Sequence, residues 1–197
     1  MNYVIYKFIR FIGRPIVKVL YRAEYVNRDN IPSKGSVILA GNHTNNRDAL
    51  LMIAGPNRIV HTLAKKELFN SKFKNFFFRS MGCIPVDRSI HDKNATNEAI
   101  DVLNNGNVIG IFPEGTTNKT NKELLPFKYG AVSFACKTNS YIVPFAITGK
   151  YKLFRKSIKI TYGKPYKLKS DDLTKENDIL RNKVLELKGR DNHGNNK

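Results

Sequence analysis

Five short apolar runs recur along this chain: SVILAG (36–41), RIVHTLAK (58–65), CIPVDR (83–88), NVIGIF (107–112) and YIVPFAITG (141–149). Between them lie segments of helical character. Helices are expected from about Asp48, over 70–80, over 92–106 where Gly106 stops the period, and over 127–139. Strands alternating with helices make an α/β domain, read here as a single domain with a central mixed sheet flanked by helices. In such sheets, functional loops gather at strand ends. NHTNNRD, VDRS and PEGTT each follow a predicted strand, so three polar loops are expected at one sheet edge, forming one site. Farther on, SIKITYG and PYKL extend the β content, and 170–189 has a helical period behind the cap-like Ser170 and Asp171.

The chain has 197 residues, which suits one domain with a real core, and its 41% hydrophobic content is that of a globular protein. No apolar run of about eighteen residues is free of charge, so no transmembrane span is expected. Charge also interrupts the apolar N-terminus throughout, so no secretory signal is expected. Two cysteines, Cys83 and Cys136, make no disulfide framework; they fit a reduced, intracellular setting and read as small buried hydrophobes. The net charge of +18 directs the chain to anionic surfaces: nucleic acid, anionic lipid or an acidic protein. Charge alone does not choose among these.

The first residues narrow the choice. In NYVIYKFIRFIGRPIVKVLYR, the cations Lys7, Arg10, Arg14, Lys18 and Arg22 recur every three or four positions. On a helix they fall within an arc of about 120°, and nearly everything else is apolar. Pro15 is a place for a kink or a division. An apolar body with a basic stripe suits a helix lying in a membrane interface, its cations near lipid phosphates. The expected organisation is 1–24 as such a helix or helix pair, 25–190 as the main domain and 191–197 as a disordered tail.

His43 and Asp48 carry the chemistry of the first loop. Five residues apart, they do not share the face of one helix. With His43 in the loop and Asp48 in the first helical turn, the carboxylate reaches an imidazole nitrogen. Asp48 then holds the tautomer and leaves the other nitrogen as a general base. A carboxylate near a helix start also suits the helix dipole without any catalytic role. No serine or cysteine has an activating context, so the base is expected to act directly on a substrate hydroxyl. No HExxH, CxxC or carboxylate cluster completes a metal site. In FPEGTT, Gly115 lets a ligand approach the backbone, Glu114 can accept from a hydroxyl and Thr116 can donate. Lys65, Arg88 and Lys128, the last at a predicted helix start, add cations for an anionic head group, although each pattern also occurs as ordinary solvated charge.

These blocks, taken in order, resemble the glycerolipid acyltransferases, the 1-acyl-glycerol-3-phosphate acyltransferase family. NHTNNRD is similar to the NHxxxxD motif, and AKKEL (64–68) with GCIPVDR (82–88) to the second block. FPEGTT is similar to the FPEGTR block, FKYGA (127–131) to the segment after it and IVPFAITG (142–149) to the final block. The resemblance covers roughly residues 25–165, and four ordered motifs are more specific than any one. It implies a glycerol-3-phosphate acyltransferase-like fold for 25–190. It also implies transfer of a fatty acyl group from acyl-CoA or the acidic acyl carrier protein to the hydroxyl of 1-acyl-sn-glycerol-3-phosphate, giving phosphatidic acid. In that scheme His43 is the base and Asp48 orients it. Lys65 and Arg88 bind the acceptor phosphate, while Glu114, Gly115 and Thr116 shape the acceptor site. No metal or bound cofactor is required. Backbone N–H groups near His43 are the expected oxyanion donors.

Two positions depart from the family pattern: Asn45 stands where serine is usual, and Thr117 where arginine is usual. Losing that arginine removes a bidentate phosphate ligand, which leaves another lysolipid or lipid alcohol open as acceptor. Lys119, Lys122 or Lys128 are candidates to compensate. A non-catalytic anionic-lipid binder is the reading from another class, and it gives His43 and Asp48 no purpose. No nucleic-acid module is recognisable, so no nucleic-acid partner is expected. The expected location is peripheral or monotopic, on the cytoplasmic face of the cell membrane.

Overall fold

The computed structural model describes residues 2–90 and 92–194. Along the chain run α1 (Tyr3–Tyr21), β1 (Glu24–Val26), β2 (Val37–Gly41), α2 (Asp48–Ala54), β3 (Val60–Lys65), α3 (Lys72–Ser80) and β4 (Cys83–Val86). There follow α4 (Lys93–Asn104), β5 (Val108–Ile111), α5 (Gly130–Thr138), β6 (Tyr141–Gly149), β7 (Ile158–Tyr162) and α6 (Leu173–Gly194). Seven strands form one mixed sheet in the order β1-β7-β6-β2-β5-β3-β4. The neighbours from β6 to β4 are all parallel, β6 and β7 pair antiparallel, and β1 runs parallel to β7.

The apolar runs follow from burial on both faces. In β2, Ile38 and Ala40 face one core with α4, α5 and α6, where Ala99, Leu103, Val132 and Leu180 pack. Val37 and Leu39 face the other, with Tyr6 of α1 and Leu51 and Met52 of α2. Because β2 sits between β5 and β6 with Ala40 opposite both Ile111 and Pro144, the loops leaving β2 and β5 emerge side by side. Parallel pairing brings the ends of β3 and β4 to that same edge, with Lys65 opposite Val86.

Several details differ from the expectations. Of the two forms expected for the N-terminal segment, a helix or a helix pair, it takes the single helix, running through Pro15 and closed by Arg22 in a left-handed conformation. β1 occupies a stretch with no strand signal; three residues are too few for a period, and only pairing with β7 defines them. The helix expected from 127 begins at Gly130. α6 continues through Gly194, four residues into the expected disordered tail, because extending an existing helix costs far less than starting one. Residues 195–197 of that tail lie outside the described residues. Cys83 is buried as expected, but Cys136 is exposed, on the outer side of α5. Among the described residues, no helix is long and apolar enough to cross a membrane.

Candidate active site

His43 leaves β2 in the loop ahead of α2, and Asp48 is the first residue of that helix. His43 Nδ1 lies 3.0 Å from Asp48 Oδ2. The same oxygen accepts from the backbone N–H groups of Thr44 at 2.6 Å and Asn45 at 2.8 Å. The Tyr151 hydroxyl donates to Oδ1 at 2.5 Å. Four donors converging on Asp48 make it an acceptor, so His43 Nδ1 carries the proton and Nε2 presents its lone pair. Asp48 is fully buried while the His43 side chain keeps 13% exposure, so the ring can be reached and its partner cannot. A hydroxyl, that of Thr117, already stands 3.3 Å from Nε2 and 3.2 Å from Asn46 Oδ1.

The histidine is braced from every side. Phe112, at the end of β5, stacks on the imidazole with centroids 4.1 Å apart and rests edge-on against Phe145. Asn42 is buried and locks the end of β2 to β6 through two bonds with the Ile147 backbone, at 2.9 and 2.7 Å. Gly41 allows this approach: a Cβ there would lie 2.4 Å from the Phe145 carbonyl oxygen. Glu114 is buried, with Oε1 accepting from His43 N and Oε2 from Leu125 N, each at 2.8 Å. Both carboxylate oxygens therefore hold backbone, a bracing role that the sequence does not announce. The same bonds use up His43 N, while Thr44 N and Asn45 N serve Asp48. Those three N–H groups are not free to act as the oxyanion donors expected of them.

Two of the predicted cations meet the loop that follows β5, at Gly115. Arg88 Nη1 donates to the Gly115 carbonyl at 2.8 Å. Gly115 has a positive φ of 69°, and a Cβ on it would meet the Lys128 side chain at 2.8 Å. Arg88 and Lys128 thus both lie against Gly115, one residue beyond Glu114. Lys65 is exposed at the end of β3, next to Lys66, which is ion-paired with Asp87. Thr116 is exposed at the loop surface. Thr117, read as a lost phosphate ligand, instead touches the catalytic candidate itself. Among the described residues, no group of three or more His, Cys, Asp or Glu is placed to hold a metal ion.

Tyr151, 103 residues beyond Asp48, is the side chain that the sequence reading missed, together with Asn42 and Phe112. No motif flags it, since it follows the last β6 block in a lysine-rich turn. Its ring meets Tyr21 of α1 edge-on at 5.4 Å. Burial, then the adjacent Asp48 carboxylate, hold its phenol well above the ordinary tyrosine range, so it remains a donor.

A model of the acyltransferase family matches residues 22–148, a span that includes this whole site except Tyr151. The chain belongs to the acyltransferase family. Among curated proteins, the acyltransferase is 31% identical over 166 residues to the 1-acyl-sn-glycerol-3-phosphate acyltransferase of Bacillus subtilis, covering 81% of each chain. It is 38% identical over 132 residues to the protein of that name from Borreliella burgdorferi, covering 66% of this chain and 52% of that one. The crystal structure of the 1-acyl-sn-glycerophosphate acyltransferase PlsC from Thermotoga maritima superposes with a TM-score of 0.71. That match covers 94% of this chain and 80% of the other, and at 24% identity it speaks for the fold alone.

In this acyltransferase, Tyr151→Phe removes one donor from Asp48 and leaves the ring packed on Tyr21. A fall in kcat of about tenfold is expected, the worth of one charged hydrogen bond, with both KM values unchanged. Steady-state kinetics with donor and acceptor varied separately check this. A rise in either KM with kcat intact would move Tyr151 from positioning the dyad to binding substrate.

Proposed function

We propose that the protein transfers a fatty acyl group from an acyl thioester to the free hydroxyl of 1-acyl-sn-glycerol-3-phosphate, at the cytoplasmic surface of a membrane. The observation that carries this is the His43–Asp48 pair, in which the carboxylate holds Nδ1 while Nε2, on a ring that keeps 13% exposure, faces a hydroxyl, that of Thr117, at 3.3 Å. His43 Nε2 takes the proton of the acceptor hydroxyl as its oxygen attacks the thioester carbonyl carbon. The tetrahedral oxyanion collapses and the C–S bond breaks. The departing thiolate receives the proton from the imidazolium, leaving the new ester and a free thiol. Asp48 stabilises the imidazolium formed on the way. Arg88, Lys65 and Lys128 hold the acceptor phosphate, with Gly115 and Thr116 at its margin. No metal or cofactor enters this scheme, and acyl-CoA and acyl carrier protein are both suitable donors.

The membrane part of the proposal rests on α1. Its outward face carries Val4, Phe8, Phe11, Ile12, Ile16 and Val19, all exposed, Phe11 at 79%. Phe73 and Phe76 of α3 add to the exposed apolar surface. Lys7 and Lys18, both exposed, line one edge of that face. Two members of the basic stripe do not stand out along that face. Arg10 donates to the Arg58 carbonyl at 2.6 Å and Arg14 to the Gly55 carbonyl at 3.1 Å, so both turn toward the protein body. The apolar face is what α1 offers to the hydrocarbon side of a bilayer.

The test is thiol release from acyl-CoA and from acyl carrier protein across a panel of lysolipid acceptors. Release dependent on 1-acyl-glycerol-3-phosphate is expected, with phosphate-free monoacylglycerol a far poorer acceptor. Arg88→Ala is expected to raise the acceptor KM about tenfold or more and leave the donor KM unchanged. Equal effects on both would take Arg88 out of the phosphate site. A second acceptor class has one observation in its favour, Thr117 in place of the family's arginine; preference for a different lysolipid in the panel would select it.

A further inference from the structure

A groove of about 790 Å³ runs between α1 and the 55–59 segment, at the far end of α2 from Asp48. Seven residues of helix separate the two ends, about 9 Å, so the groove is distinct from the His43 site. Three guanidinium groups converge there. Arg14 and Arg28 both donate to the Gly55 carbonyl, at 3.1 and 3.4 Å, and Arg10 donates to the carbonyls of Pro56 and Arg58. Among the described residues, none of the three is ion-paired with a carboxylate.

Two hydroxyls complete the set. Among the described residues, Tyr25 Oη and Tyr162 Oη are buried with no hydrogen-bond partner. Both flank Gly55, where a Cβ would meet Tyr162 Oη at 2.4 Å and the Tyr25 ring at 2.7 Å. Burial lowers Arg14 from its ordinary value, and the charges of Arg10 and Arg28 lower it further. Donors without acceptors, and cations without an anion, describe a site built for a negatively charged group with several oxygens. Lys7, Lys18 and Asn57 also line the groove, beside an apolar part that includes Ala54, Ile59, Pro15 and Phe11. Phe11 also belongs to the exposed face of α1, so the groove opens beside that face.

We propose that this groove binds the phosphate group of an anionic membrane phospholipid, held by Arg10, Arg14 and Arg28 with the Tyr25 hydroxyl. The lipid, rather than a soluble phosphate, is the occupant because the groove is continuous with the apolar face of α1; this step rests on the membrane-surface reading above. The site is a second lipid contact, separate from the acceptor pocket. It makes α1 selective for anionic bilayers and not only adherent to any bilayer.

Flotation of the full chain with phosphatidylcholine vesicles, with and without phosphatidylglycerol, tests it. The wild type is expected to bind phosphatidylglycerol-containing vesicles about tenfold more tightly or better. Arg14→Gln with Arg28→Gln is expected to abolish that preference and keep binding to phosphatidylcholine. Tyr25→Phe leaves the charge unchanged and removes a hydroxyl that has no partner among the described residues. It is expected to cost about fivefold of the preference, which diffuse attraction would not lose. An unaltered preference in Tyr25→Phe, or in the arginine pair, overturns the site. Binding of inorganic phosphate by the wild type and not by the arginine pair, with no phosphatidylglycerol preference, overturns the lipid as occupant. Phe8→Ser with Phe11→Ser separates the two readings. If it leaves all vesicle binding intact, the membrane role of α1 fails, whatever the groove does.

Discussion

Thiol release by a His43→Gln variant is expected to fall by a factor of about 10²–10⁴, the usual worth of a positioned general base. Glutamine is close to histidine in size and can still accept a hydrogen bond from an alcohol. It cannot take the proton, so the acceptor oxygen must attack without losing it. The fold should survive, because the ring's packing on Phe112 is replaced by an amide of similar volume and the Glu114 brace acts on backbone, not side chain. Initial rates and the thermal midpoint, measured on the same preparation, separate the two effects. Wild-type kcat in this variant would remove His43 from the chemistry.

Asp48→Asn is expected to lower kcat by about 10²–10³. The amide oxygen can occupy the place of Oδ2 and still accept from Nδ1, Thr44 N and Asn45 N. Its nitrogen then faces the Tyr151 hydroxyl, which can turn and accept. The geometry therefore persists while the charge is lost. Two opposite charges about 4 Å apart are worth about 4 kcal/mol at an effective dielectric of 20, and that is the stabilisation withdrawn from the imidazolium. On the rate scale, about 1.4 kcal/mol is tenfold. A stability loss of about 1–3 kcal/mol should accompany it, since bonds to a buried carboxylate become bonds to a neutral amide. Urea unfolding measures the second effect, and kcat at full saturation measures the first. A kcat within tenfold of wild type would leave Asp48 a structural helix-start residue only.

The strands were legible because a segment covered on both faces must be apolar at successive positions, and five such runs stand out in the chain. The His43–Asp48 pairing was legible because loop and first helical turn are local: both residues lie within six positions, and backbone geometry brings them together. Glu114 was legible as a site residue but not in its role. Its two partners, His43 N and Leu125 N, come from different loops, and nothing in FPEGTT states that both oxygens are taken. Cys136 was misread because a cysteine alone carries no information on which side of a helix faces out.

The N-terminal helix shows the same division. Its spacing displays an amphipathic period, yet two opposite faces are available to the protein body. Carbonyls at the 55–58 turn capture Arg10 and Arg14, and so turn the phenylalanines outward.

Composition and local order along the chain thus determined the element sequence apart from β1, the sheet edge that carries the loops and the His43–Asp48 pairing, since each depends on neighbours a few residues apart or on burial averaged over a strand. Tertiary structure alone decided the strand order, the partners of Glu114, the Tyr151 bond to Asp48 and the convergence of Arg10, Arg14 and Arg28. Those contacts join residues far apart in sequence, and their energies depend on distance and direction in space, which no local pattern of residue types encodes.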